Sequence, residues 1–229
     1  MSAPLRGRSV RSRDLSFVLL LGAAALPALI YGSRGEPDPL AALCWIALIA
    51  TAGGYACGAQ RVALWPLAPV APVLWLVTVA FADALSRRDL PSVAWSALPV
   101  FGLFGLGFAL GARAHGEVRR GVAALFLAAV LLAALPLHGL LGGSGFDARV
   151  SALLLDASPA TLLAECAGVD WMRHPPIYDG SATVDIHPAL RSPYSARLAG
   201  SLVFVVGCSL AFAAEHLRRR RDAAAAARE

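Results

Sequence analysis

Residues 199–221 read AGSLVFVVGCSLAFAAEHLRRRR: sixteen uncharged residues from Ala199 to Ala214, then Glu215, His216 and Leu217, then four consecutive Arg. A helix needs about 20 apolar residues to cross a hydrocarbon core of about 30 Å, so a run of this length is a membrane-span candidate. Ala199–Leu217 is such a run, and the Arg cluster behind it predicts that this end stays on the cytoplasmic side.

The same test applied outward from this segment finds five more apolar runs: Leu15–Tyr31, Leu40–Ala59, Val62–Ala82, Ser92–Ala112 and Gly121–Leu141. Composition agrees with this density. The chain has 229 residues, of which 58% are hydrophobic and 15% charged, and its mean hydropathy is +0.64. A soluble domain carries about 25% charged residues. Lipid cannot satisfy backbone polar groups, so six spans mean six helices. The predicted fold is therefore an all-α integral membrane bundle. It divides into a basic terminus at 1–14, five spans within 15–141, a long loop at 142–198, a sixth span at 199–217 and a basic tail at 218–229.

Arginine placement orients the bundle. All 20 cationic residues are Arg, which we read with the Ala richness as GC-rich bacterial coding. With the N-terminus inside, thirteen Arg and five acids face the cytoplasm, while seven Arg and ten acids face outward. The inner side nets +8 and the outer side −3, reproducing the formal charge of +5. Both termini are expected inside, and the location is expected to be the bacterial cytoplasmic (inner) membrane. Arg218, Arg219, Arg220 and Arg221 are expected to lie near anionic lipid headgroups. The basic start and apolar centre also fit a secretory signal, with Ala23–Ala25 as the cleavage point. That point falls inside the apolar run, so the first span is read as retained. The basic charge has no groove with interleaved aromatics, so nucleic acid is not an expected partner.

Inside the spans, chemistry is sparse. No ionisable side chain lies near the middle of any run; proton relays and aspartyl intramembrane proteases need such groups. Pro66, Pro69 and Pro72 kink the third span. Gly54 with Gly58, and Gly107 with Gly111, form two GxxxG pairs, which bring helix backbones together. The expected contact is within the bundle. GGSG at 142–145 resembles the nucleophile motif of rhomboid proteases, which implies a serine base pair. His216 lies at the opposite end of the bundle from Ser144, so this resemblance yields no catalytic pair.

The long loop holds the only varied chemistry. Two short helices are expected, at 149–156 and 159–167, with Ser158 as N-cap, Pro159 at the first helical position and Gly168 as terminator. Neither can span, so both are expected to lie at the outer interface or dip into the bundle, with Trp171, Tyr178 and Tyr194 in the aromatic belt. Asp170, His174, Asp179 and His187, with Asp185, are the candidate catalytic residues: imidazoles and carboxylates of the kind that bind zinc or move protons. Their spacing fits no ligand pattern, and Arg173 opposes a cation, so a hydrogen-bonded cap is the preferred reading, with no metal or cofactor. Cys166 with His174 as base is disfavoured because an apolar helix end raises a thiol pKa.

Six spans with re-entrant helices before the last one, and the stretch SPATLLAECAGVD at 158–170, resemble ABC-2-type exporter permeases. That resemblance implies other membrane subunits or a cytoplasmic ATPase as partners. The Gln60–Arg61 link is shorter than a coupling helix in such permeases requires. The expected function is thus a non-catalytic permease-like or accessory subunit of a transport or envelope system. A membrane enzyme working through the 165–187 loop is the alternative.

Overall fold

The computed structural model describes residues 39–60, 90–113, 156, 158–169 and 195–227. Among these residues the regular structure is entirely helical. In chain order the helices are α1 (Pro39–Ala59), α2 (Leu90–Trp95), α3 (Ala97–Arg113), α4 (Pro159–Cys166) and α5 (Ala196–Ala226). By length and apolarity, α5 is the one described helix sufficient to cross a membrane, accompanied by the shorter apolar helices Leu43–Ala59 and Ala97–Arg113. Six spans are thus not what the described residues deliver. The runs expected at 15–31, 62–82 and 121–141 lie outside them.

The fourth expected span, 92–112, is two helices and not one. Pro99 explains the break. Proline has no N–H to give to the carbonyl four residues back, and its ring crowds that carbonyl. For Pro99 this carbonyl belongs to Trp95, the last residue of α2, so the chain turns at the buried Ser96. Pro99 then sits in the first turn of α3, where a missing N–H costs nothing.

Helix α3 is the centre of the assembly because its glycines lie on two nearly opposite faces. At 100° per residue, Gly107 and Gly111 share one face, and Gly102 and Gly105 share the other. A methyl group built on Gly107 or Gly111 would fall within 3.0 Å of the α1 backbone at Thr51 and Tyr55. One built on Gly54 or Gly58 would strike the α3 backbone at Phe104 and Phe108. The two GxxxG pairs therefore pack against each other, as expected, inside the chain. On the other face, Gly102 and Gly105 meet α5 at Val203 and Gly207, and Gly207 meets Gly102 in return. Backbone lies on backbone at both interfaces, so dispersion rather than side-chain interlocking holds them.

These contacts also set direction. Residue numbers rise together along both pairs, 54 to 58 against 104 to 108 and 203 to 207 against 102 to 105. Helices α1, α3 and α5 therefore run parallel, with their N-terminal ends together. Parallel neighbours separated by 30 or more residues require the chain to return the length of the helix between them.

Helix α4 lies against α1, α3 and α5. It contributes Ala160, Leu163 and Ala164 to a core shared with Ile46 and Ala50 of α1 and Val100, Phe104 and Phe108 of α3. Its ends are those the sequence predicts. Gly168 adopts φ 70°. The Val169 N–H bonds the Ala164 carbonyl at 2.8 Å and the Gly168 N–H bonds the Glu165 carbonyl at 3.1 Å, a Schellman termination. Ser158 holds the N-cap position, but its side chain makes no capping hydrogen bond. Of the helix expected at 149–156, only the helical Asp156 falls among the described residues.

Candidate functional site

The site residues predicted from sequence, Asp170, His174, Asp179 and His187, and Asp185 with them, lie outside the described residues. What is described is the frame that holds their segment. The chain enters it at Val169, buried against the core, and leaves it at Ser195. Ser195 caps α5 by accepting a hydrogen bond from the Leu198 N–H at 3.3 Å.

The two ends of that segment are tied together. The Cys166 thiol, 1% exposed, donates to the Ala196 carbonyl at 3.2 Å. Ala196 opens α5, so its carbonyl points into the helix and the thiol adds a second bond to it. A methyl group on Gly200, one turn later, would lie 2.9 Å from the Cys166 sulfur and 3.3 Å from Pro99 of α3. Cys166 thus occupies the notch where α4 meets the N-terminal ends of α3 and α5. Burial, with a smaller contribution from the Glu165 carboxylate and against the opposing effect of Arg197, pushes its thiol from 9.0 up to about 12. A thiol held protonated in this way is no nucleophile near neutral pH. The geometry makes Cys166 a packing and tethering residue, and its raised thiol pKa is the one expected at the end of an apolar helix.

Beside this notch, the Arg197 guanidinium stands 5.7 Å from the centroid of the Trp95 ring. Trp95 is 36% exposed, so an aromatic ring and a cation stack at the rim of the helix core, beside the N-terminal ends of α3 and α5. Ser158, the N-cap residue, and Thr161 of α4 are buried, as is Ser96 between α2 and α3. The hydroxyls of Thr51 and Ser201 return to their own helices, bonding the Ala47 and Arg197 carbonyls at 2.8 Å each. That is how a hydroxyl in an apolar helix finds a partner without water. Among the described residues no group of three or more His, Cys, Asp or Glu is placed to hold a metal ion.

A second charged cluster, which the sequence reading left as a topology signal, lies at the far end of α5. Glu215 is buried, 6% exposed. Its carboxylate takes Arg218 at 2.6 Å and the Arg219 Nε at 2.9 Å. These are i, i+3 and i, i+4 spacings on one helix. The signal was present in EHLRRRR, where an acid stands three and four residues ahead of two cations.

Between the two clusters, Leu198 to Ala214 carry no charge, and seventeen residues at 1.5 Å each cover about 26 Å. The outward side of this stretch is apolar, with Leu202 63% and Phe212 62% exposed. Compared with known protein families, with curated proteins and with solved structures, the chain matches none.

Proposed function

We propose that this chain is a multi-pass protein of the bacterial cytoplasmic membrane, with six spans and both termini inside, acting as a non-catalytic permease-like or accessory subunit of a transport or envelope system. The observation that carries the membrane part is the parallel packing of α1, α3 and α5. In a six-span N-in topology these are the second, fourth and sixth spans, and all even spans run from outside to inside. The apolar runs at 62–82 and 121–141 are then the third and fifth spans, which carry the chain back. The exposed apolar side of α5 supports the same reading. Water would leave such a patch costly, whereas lipid matches it.

Support for a subunit rather than an enzyme is narrower. It rests on the tethering role of Cys166, which removes that thiol from chemistry near neutral pH, and on α4 as a packed element that ties loop to bundle. Affinity purification from mild-detergent membranes tests it. Stoichiometric recovery of further membrane subunits or an ATPase is expected, and His174→Ala with His187→Ala should leave function intact. Loss of function in those variants, with insertion and partners retained, would make the 165–187 loop an enzyme site instead.

A further inference from the structure

The four inner Arg are not equivalent, and their positions around α5 separate them. Arg218 follows the buried side of the helix and is bound to Glu215, its side chain 16% exposed. Arg221 is exposed, but it stands about 100° around the helix from Arg220, in line with the buried Ala214 seven residues before it. Arg220 lies on the outward side. It comes seven residues after the exposed Ala213, four after the exposed His216 and three after the exposed Leu217. It therefore continues, past the end of the apolar stretch, the outward stripe that contains Leu202 and Phe212.

We infer that His216 and Arg220 form a binding site for the phosphate of an anionic phospholipid whose acyl chains lie along the outward stripe of α5. The inference rests on the membrane reading above and adds which residues meet the lipid and which do not. Its physical basis is alignment. Side chains of a helix lean toward its N-terminus, which for α5 is toward the membrane, so Arg220 and His216 lean back over the stripe they extend. The guanidinium supplies donors in a fork that matches phosphate oxygens, and the imidazole one turn closer to the lipid supplies another. The ion pair of Glu215 with Arg218 and Arg219 leaves Arg220 as the cation in line with the stripe.

The test uses the full chain in lipid nanodiscs containing phosphatidylcholine and phosphatidylglycerol in equal amounts, with retained lipid counted by native mass spectrometry. The wild type is expected to enrich phosphatidylglycerol. Arg220→Gln should lower that enrichment about fivefold, as one cation near the surface implies. His216→Ala should lower it less, and Arg221→Gln should leave it unchanged. Equal losses for Arg220→Gln and Arg221→Gln would overturn the proposal in favour of bulk charge. No enrichment in the wild type would overturn it too, leaving the basic end to an acidic protein partner. Release of the wild type from membranes by alkaline carbonate would instead refute the membrane reading itself.

Discussion

Substituting Gly107 by Ala tests the packing of α3 on α1 at one of its closest approaches. The added methyl would lie 2.9 Å from the Tyr55 amide nitrogen and closer still to the Thr51 carbonyl. Both neighbours are backbone, so no side chain can rotate away, and ordinary contact returns only if the helices separate by about 1 Å. Overpacking of this kind costs about 1–3 kcal/mol. Against it stands the helix preference of Ala over Gly, about 1 kcal/mol. The net expectation is a loss of up to about 2 kcal/mol, with the close approach to the Thr51 carbonyl placing Gly107→Ala toward the upper end and Gly107→Val losing more. Reversible unfolding by SDS in mixed micelles, followed through Trp fluorescence, measures it. Equal or greater stability of Gly107→Ala would refute the reasoning, because helix preference would then act alone and the backbones could not be touching.

Three further outcomes follow from the same geometry. Gly105→Val should weaken α3 against α5, and its cost should add to that of Gly107→Ala within about 0.5 kcal/mol, since the two sit on opposite faces; strong coupling would contradict a two-sided α3. Gly168→Ala places a side chain at φ 70° and should cost about 1 kcal/mol, while Gly168→Asn costs less; unfolding midpoints of the pair decide it. Cys166, titrating at about 12 when folded and 9.0 ordinarily, should resist iodoacetamide at pH 8 in the folded protein. A raised thiol pKa stabilises the fold at pH below 9, and that contribution is lost as pH climbs from 9 toward 12. Labelling at the unfolded rate at pH 8 would show that the Ala196 tether is absent.

How far the sequence was legible depended on whether a signal was local. Gly168, Pro159 and the bounds of α4 were readable because helix ends are set by one or two residues whose backbone limits are absolute. The GxxxG pairs were readable for the same reason, though their partners were not. That Gly54 and Gly58 meet Gly107 and Gly111 is a long-range fact that no spacing encodes. The second glycine face of α3 was in plain view in FGLFGLGFALG, and counting angles as well as the GxxxG motif would have found it. The break at Ser96 was missed because hydropathy ignores Pro99. Glu215 was taken as a charge at a span end, when its spacing to Arg218 and Arg219 already paired it. For Asp170, His174, Asp179 and His187, spacing was the only available signal, and it resembles no ligand set.

Helices α1, α3 and α5 are proposed to cross the membrane side by side in one direction. Single cysteines introduced into a chain with Cys44, Cys57, Cys166 and Cys208 replaced, expressed in a bacterial inner membrane, test this with a membrane-impermeant maleimide. Cysteines at Leu40, Trp95 and Arg197, the N-terminal ends, should label in intact spheroplasts. Those at Gln60, Arg113 and Arg221 should label only after permeabilisation. Labelling of either trio from both sides, or of one member from the wrong side, would contradict the parallel arrangement.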